Sequence, residues 1–339
     1  MSDTGETWAV LRGLRATPPG LAASNNARRE VFAAALEQAE QFLTAADAVG
    51  YATKPVQLFY ALSQAGRAIA AVRATGPWEI HGHGIHADEK RDIGATTIRP
   101  DASAIRAMQL VAAATGSDVW DGAVELGAVW ASLPELRYEP SLCRDAPGVL
   151  EAQTQIPETL NVSPSTAGFH TRVGVLLEQL APQDKDELHN AVSELLAPYP
   201  TAEGWVIGEP YVTFGNTTTF SNVTTTWILP PDPRQVVLEW PIEVDGQRGL
   251  RAAEGLTEPY AGRLYFRPGI GAQNTIPSPL ITWWGVLFAL STLARYEPVA
   301  WRAALDIDSS PTARALEQGL TVAQRRIPEL VLEAVTQTT

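Results

Sequence analysis

Apolar side chains recur at three- and four-residue steps along the first part of the chain, which is the spacing of amphipathic helices. Asn25 or Ser24 can cap the first of these segments, and Gly50 can end it. Pro55 falls in the first turn of the second segment, where proline is tolerated. The pattern therefore predicts four helices, at residues 25–49, 55–74, 102–114 and 119–130.

Beyond these helices, the chain alternates between helical and strand-like patterning. Residues 173–180 and 187–196 have helical spacing on either side of a proline-containing turn, which predicts a helical hairpin. Runs of β-branched and aromatic residues then predict a small antiparallel sheet, with strands at 205–214, 217–229, 235–244 and 263–267. Helical spacing returns at 279–296 and at 311–335, where Pro328 predicts an interruption and so one or two helices.

This order of helix, strand and helix differs from the alternation that builds a parallel α/β sheet. We expect a mainly α protein in which a helical body carries a small antiparallel β insertion, α+β overall. The expected boundaries are the N-terminal part of the helical body at 1–200, the β-rich insertion at 201–270, and C-terminal helices packing on the helical body at 271–339.

Composition excludes several classes of protein. A 45% hydrophobic content in 339 residues excludes a disordered chain. The single cysteine, Cys143, excludes an internal disulfide framework and a cysteine-rich zinc site. The formal net charge of −13 argues against a non-specific binder of double-stranded DNA, because such binding needs clustered basic residues. Neither a secretory signal nor a membrane span is apparent, so we expect a cytoplasmic protein without membrane contact.

The negative charge is unevenly distributed. Residues 1–110 contain 11 acidic and 11 basic residues, whereas residues 151–210 contain 9 acidic and 2 basic residues. An anionic ligand is therefore expected to bind the N-terminal part.

The densest chemical cluster is a glycine-rich loop at 81–86 that holds His81, His83 and His86, three of the five histidines. Histidine exchanges protons near neutral pH and its neutral ring ligates metals. Three interpretations stay open: a structural or solvent-facing loop, an acid–base or ligand site, and a metal site. Phosphate-loop, dinucleotide-binding, HExxH and GxSxG motifs are absent, and we expect no cofactor and no metal ligand.

Two further clusters contain arginine. Tyr60, Gln64 and Arg67 follow helical steps and form one stripe, and Gly66 beside them indicates close packing by a backbone or a ligand. Arg67 either meets an internal carboxylate or helix terminus, or faces a polar cleft together with Gln64. Arg295 and Tyr296 end the helix at 279–296, where they form either a structural arginine–carboxylate network or part of a site.

Four segments resemble the YaaC-like family of bacterial proteins: FAAALEQAEQFLTAA from Phe32, PVQLFYALSQAGRAIAA from Pro55, His81-Gly82, and WGVLFALSTLARYEPVAW from Trp284. Such proteins are thought to be similar to the HEPN helical superfamily. The resemblance implies a binding or regulatory protein for a nucleotide, an RNA end or a protein partner encoded nearby. The two arginine clusters described above supply its candidate ligand-binding residues, which are Tyr60, Gln64, Arg67, Arg295 and Tyr296. The resemblance also implies a homodimer.

The alternative implied by the resemblance is a metal-independent HEPN-type endoribonuclease, acting as a toxin or phage-defence effector. Arg67 would then stabilise charge, and His81, His83 or His86 would act as general acid or base. HEPN nucleases place arginine and histidine four to six residues apart. Seven residues separate Arg73 from His81 and thirteen separate Arg67 from His81, so catalysis would require convergence through the fold.

Overall fold

A computed structural model describes residues 4–90, 92–103, 106–143, 145–154, 170–176, 185–204, 206–207, 235–241 and 256–337. The chain divides into two compact units, here called the helical unit (Met1–Gly148 with Gly269–Thr339) and the β unit (Val149–Pro268). The described residues are mostly helical and include two small antiparallel sheets. The expected fold class, mainly α with a small antiparallel β region, is confirmed.

The helical unit contains these α-helices: α1 (Thr4–Ala16), α2 (Asn26–Ala48), α3 (Lys54–Arg73), α4 (Ala107–Thr115), α5 (Leu126–Ala131), α7 (Pro279–Tyr296), α8 (Pro298–Ala304) and α9 (Ala313–Thr336). Helix α6 (Lys185–Leu196) belongs to the β unit. Short 3₁₀ turns lie at Gly20–Ala23, Pro134–Leu136 and Pro200–Ala202. The predicted helices at 25–49, 55–74, 187–196 and 279–296 are confirmed.

Helices α3 and α7 form the centre of the helical unit. Helix α3 packs against α2, α4, α7 and α9, and α7 is buried from Pro279 to Leu293. A Cβ atom at Gly66 of α3 would lie 2.7 Å from two carbons of the Trp284 ring of α7. Glycine therefore lets the two helices approach closely, as predicted from its position in the helix. Trp283 and Trp284 are fully buried core residues.

Three predicted helices need correction. The helix expected at 102–114 begins at Ala107, and the described residues before it, 102, 103 and 106, are not helical. The helix expected at 119–130 begins only at Leu126, as α5. The residues directly before it, Val124–Glu125 (β3), pair with another strand. Pro328 does not interrupt α9. Its missing N–H costs a helical hydrogen bond, but residues on both sides are buried in the core and keep the helix continuous.

A small three-stranded antiparallel sheet lies beside the histidine loop. Its strands β1 (Ile85–Asp88), β2 (Thr97–Pro100) and β3 are in the order β1-β2-β3, and Ile85 pairs with Pro100. Residues 81–84 are irregular as predicted, but His86 lies in β1 and pairs with Arg99.

The β unit is built on a six-stranded antiparallel sheet in the order β6-β7-β5-β4-β9-β8. The strands are β4 (Leu150–Thr154), β5 (His170–Leu176), β6 (Val206–Ile207), β7 (Gln235–Pro241), β8 (Glu258–Tyr260) and β9 (Arg263–Phe266). The helix predicted at 173–180 is wrong, because β5 pairs along its whole length with β7 and also with β4. Pairing between distant segments overrode the local pattern. The unit begins at Val149 because β4 and β5 belong to its sheet, whereas the sequence placed the insertion at 201–270.

The predicted strand at 263–267 is confirmed by β9, and that at 235–244 by β7 over its first seven residues. Of the strand predicted at 205–214, the described residues 206–207 form β6. The strand predicted at 217–229 lies outside the described residues.

Candidate functional site

One stripe of helix α3 is partly exposed, while most of the helix is buried. Tyr60, Gln64 and Arg67 are each partly exposed, and the neighbouring positions from Leu58 to Val72 are buried. The four- and three-residue steps place these three side chains on one side of the helix. The Tyr60 ring stacks on Phe42 of α2, with centroids 5.6 Å apart and planes 25° apart. The stripe predicted from the sequence therefore lies at the surface.

Arg67 is held toward the histidine loop by a backbone contact. Its Nη1 atom donates a hydrogen bond to the carbonyl oxygen of Ile80 at 3.3 Å. In the part of the chain that the structure describes, Arg67 forms no ion pair with a carboxylate. Of the alternatives weighed from the sequence, an internal carboxylate holding this guanidinium is not found among the described residues.

The loop that carries His83 is held by hydrogen bonds to the carbonyl oxygens of His83 and Gly84. The carbonyl oxygen of His83 accepts from the backbone N–H of Met108 at 3.3 Å. The next carbonyl, that of Gly84, accepts from the Asp101 backbone N–H at 2.9 Å and from Gln109 Nε2 at 2.7 Å. Gly84 has a φ of +81°, and a Cβ there would lie 2.8 Å from the Met108 nitrogen. Glycine is required at this close approach.

The His83 ring contacts two aromatic side chains, Phe59 and Phe288. Its centroid is 5.3 Å from the ring of Phe59 and 5.9 Å from the ring of Phe288, which are 5.4 Å apart. Burial lowers the pKa of His83, and the positive charges of Arg295 and then Arg67 lower it further. The two arginines lie on α3 and α7, whose Phe59 and Phe288 contact this imidazole.

Arg295 lies in the last turn of α7. Its Nε atom donates to the carbonyl oxygen of Ser291 at 3.0 Å, and its guanidinium carbon lies 5.0 Å from the ring centroid of Tyr296. No ion pair joins Arg295 to a carboxylate among the described residues, so the arginine–carboxylate network considered for this corner is not found there. The helix-to-helix corner itself is confirmed, since α8 begins at Pro298 directly after Glu297.

Arg67, His83 and Arg295 are here called the Arg–His cluster, because the His83 ring contacts Phe59 of α3 and Phe288 of α7, the helices that carry the two arginines. His81 and His86 are exposed and have other partners. The His86 Nε2 atom lies 3.7 Å from Asp101 Oδ2, and the backbone carbonyl of His81 lies 3.5 Å from Arg106 Nη1. No described contact links His81 or His86 to the cluster. Both remain predicted site residues that the structure does not join to it.

Asp101 organises the other side of the loop. It lies 3.5 Å from Arg106 Nε and accepts a hydrogen bond from the Ser103 backbone N–H at 3.1 Å. That hydrogen bond, followed by the charges of Arg106 and His86, lowers the pKa of Asp101 although partial burial opposes the shift. Among the described residues, no three histidine, cysteine, aspartate or glutamate side chains are placed to hold a metal ion.

Chemically, the cluster offers two fixed positive charges and an imidazole whose lowered pKa favours the neutral form. An anion placed there can take several charge-assisted hydrogen bonds without displacing a carboxylate. Phe288 was not among the site residues predicted from the sequence. Its distance of seven residues from Arg295, two helical turns, was the signal that could have placed it on the same side of α7.

Comparisons with known proteins bear on the family. No helix in the described part of the chain combines the length and apolarity needed to cross a bilayer. Comparison with curated proteins and with solved structures gave no significant match. The family profile described as "YaaC-like Protein" matches residues 18–335, nearly the whole chain, and it includes every residue of the Arg–His cluster. The chain therefore belongs to the YaaC-like family.

Proposed function

We propose that this protein is a HEPN-like binding or regulatory protein that recognises a phosphate-bearing ligand, a nucleotide or an RNA end, at the Arg–His cluster. One observation carries the proposal. Arg67 and Arg295 lie on α3 and α7, the two helices whose Phe59 and Phe288 contact the His83 ring, and in the described part of the chain neither guanidinium has a carboxylate ion-pair partner. A bound anion supplies the missing negative charge.

Burial strengthens this argument. Arg67, His83 and Arg295 are partly buried, and electrostatic interactions weaken less there than in bulk water. The backbone acceptors, Ile80 for Arg67 and Ser291 for Arg295, orient each guanidinium while leaving further N–H groups for a ligand. The site is thus prepared for one anionic group, and the net charge of −13 still opposes a long polyanion.

Calorimetric titration with adenosine 5′-monophosphate and with a short 5′-phosphorylated RNA tests the proposal. We expect saturable binding by the wild-type protein and a loss of at least about tenfold in affinity for Arg67→Gln and for Arg295→Gln, because each removes charge-assisted hydrogen bonds. Arg314→Gln is the matched control, since Arg314 is an exposed arginine on α9. Absence of binding, or equal losses in all three variants, overturns the proposal.

The metal-independent endoribonuclease is the second candidate, and the lowered pKa of His83 favours it. A neutral imidazole can take the proton from a ribose 2′-hydroxyl as that oxygen attacks the adjacent phosphorus. The bond from phosphorus to the 5′-oxygen breaks, the 5′-oxygen takes a proton from water, and a 2′,3′-cyclic phosphate remains. Arg67 and Arg295 would stabilise the negative charge that develops on the phosphorus oxygens.

Incubation of labelled mixed RNA with the purified protein in EDTA decides between turnover and binding alone. Cleavage to cyclic-phosphate ends that is lost in His83→Gln supports the endoribonuclease. Intact RNA, with stoichiometric binding in the same tube, supports the binding protein. The toxin or phage-defence role, the protein partner and the homodimer rest on the family resemblance, and light scattering of the purified protein tests the homodimer.

A further inference from the structure

Two tyrosines in the helical unit form similar pairs with the arginine that precedes them. Tyr296 is 66% exposed and Tyr138 is 67% exposed. The guanidinium carbon of Arg295 lies 5.0 Å from the Tyr296 ring centroid, and that of Arg137 lies 5.7 Å from the Tyr138 ring centroid. Exposure and cation–π geometry alone therefore do not distinguish the two rings.

The surroundings of the two arginines do distinguish them. Arg137 is exposed, whereas Arg295 is partly buried, donates its Nε hydrogen to the Ser291 carbonyl oxygen, and lies on α7, the helix whose Phe288 contacts the His83 ring. Tyr296 therefore stands at the border of the Arg–His cluster. No residue of that cluster has a described contact with Tyr138.

The Tyr296 ring also differs from the other tyrosine near the cluster. Tyr60 already stacks on Phe42 and contacts Phe59, with ring centroids 5.6 Å and 6.0 Å apart. Among the described residues, no aromatic ring stacks on Tyr296, and its described ring contact is with Arg295. An exposed aromatic ring beside a phosphate-binding arginine is the arrangement with which proteins stack a nucleobase.

We propose that Tyr296 is the stacking platform for the base of a nucleotide, or of the terminal nucleotide of an RNA, whose phosphate is bound by the Arg–His cluster. This inference rests on the proposed function and makes the ligand class narrower. The cluster then provides the charge recognition, and Tyr296 separates a nucleotide from a free phosphate or a sugar phosphate. Stacking is tolerant of base identity, so the platform selects for a base rather than for one base.

Three probes of increasing size test this inference: inorganic phosphate, ribose 5-phosphate and adenosine 5′-monophosphate, titrated calorimetrically at one pH and salt concentration. We expect adenosine 5′-monophosphate to bind the wild-type protein about tenfold more tightly than ribose 5-phosphate. Tyr296→Ala is expected to remove that advantage, so that the variant binds the two probes with equal affinity. Tyr296→Phe keeps the ring and is expected to keep the advantage.

Tyr138→Ala is the matched control, because it removes an equally exposed ring from an equivalent arginine pair, and no change in any affinity is expected. If ribose 5-phosphate binds as tightly as adenosine 5′-monophosphate, or if Tyr296→Ala weakens both probes equally, the inference is overturned while the anion site stands. If none of the three probes binds, the proposed function itself fails.

Discussion

Arg326 and the pair formed by Arg67 and Arg295 lie in the same helical unit but meet different partners. Arg326 on α9 is largely buried, and its guanidinium contacts Glu135 at 3.0 Å, Glu329 at 3.0 Å and Glu333 at 2.9 Å. Arg67 and Arg295 donate to backbone carbonyls, and their positive charges lower the pKa of His83. The positive charge of Arg326 is balanced by carboxylates of the fold. The positive charges of Arg67 and Arg295 have no described carboxylate partner.

The pKa shifts reflect the same difference. Burial alone would lower the pKa of Arg326, but the carboxylates of Glu135 and Glu333 raise it. In the Arg–His cluster, burial lowers the pKa of His83, and the positive charges of Arg295 and Arg67 lower it further. A buried arginine surrounded by carboxylates is thus part of the core, whereas arginines facing a neutral histidine can accept an external anion.

The largest effect is expected where the matched charges are broken. Arg326→Met leaves the Glu135 carboxylate, which is 1% exposed, without its ion-pair partner. We expect a loss of about 3–5 kcal/mol in the free energy of unfolding. Urea-induced unfolding followed by circular dichroism measures it. Arg314→Met, an exposed position on the same helix, is the control, and equal stability of the two variants would contradict a structural role for the Arg326 network.

A smaller loss of stability is expected at Gly66, which sets the distance between the helices that carry Arg67 and Arg295. The Cβ atom of Gly66→Ala would meet the Trp284 ring at 2.7 Å, so overpacking of about 1–3 kcal/mol is expected to outweigh the gain of roughly 1 kcal/mol in helix propensity. Gly13→Ala in α1 is the control, because nothing lies within 4 Å of its added Cβ. Thermal unfolding compares the two; a Gly66→Ala protein as stable as Gly13→Ala would show that α3 and α7 can separate freely.

The double variant Arg67→Gln/Arg295→Gln is expected to lose anion binding and to keep most of its stability, whereas Arg326→Met is expected to lose stability. Since each side chain gives up one hydrogen bond to a backbone carbonyl, we expect the free energy of unfolding to change by no more than about 1–2 kcal/mol. Sulfate binding should become undetectable. Paired urea titrations and sulfate calorimetry test this, and a collapse of stability with sulfate binding intact would reverse the assignment of the two environments.

The smallest effect concerns the pH dependence at His83. The pKa of its ring is below the ordinary value of about 6.5, so the free ring is neutral at pH 7. Bound sulfate offsets the charges of Arg67 and Arg295, and we expect it to raise the pKa of His83. By linkage, sulfate binding should strengthen as the pH falls from neutrality toward the pKa of the free ring.

Without ligand, His83 is protonated at a higher pH in the unfolded chain than in the folded protein. The contribution of this residue to stability is therefore present above about pH 6.5 and lost as the pH falls below that value, until the folded ring also titrates. Magnetic resonance titration of the His83 ring, with and without sulfate, measures both pKa values. A pH-independent sulfate affinity, equal in wild type and His83→Gln, would contradict the coupling.

Local pattern was sufficient for the elements whose own sequence contains the signal. The bounds of α7 and the partly exposed stripe of Tyr60, Gln64 and Arg67 on α3 follow from helical periodicity. Gly66 could be predicted as a close-packing position because glycine is costly within a helix, but the sequence did not name Trp284 as its neighbour. The strand β5 was misassigned as helix because its identity comes from pairing with β4 and β7.

The candidate site shows the same division. Three histidines within six positions gave no means of choosing among them, since a glycine-rich loop has no fixed periodicity. The hydrogen bonds of the His83 and Gly84 carbonyls to α4 and to the residues before it hold the loop in place, and the ring then lies on Phe59 and Phe288. Those contacts select His83 and leave His86 with Asp101.

By itself the sequence determined the family, the mainly helical class, and a short set of candidate residues that includes Arg67, His83 and Arg295. Tertiary structure decided which candidates meet, because the two arginines lie on helices separated by more than 200 residues of chain. Their proximity depends on α3 and α7 packing through Gly66 and Trp284, which is a contact between distant segments. The residue type alone fixes the chemistry of a side chain, but the electrostatic environment of an ionisable group depends on everything packed around it.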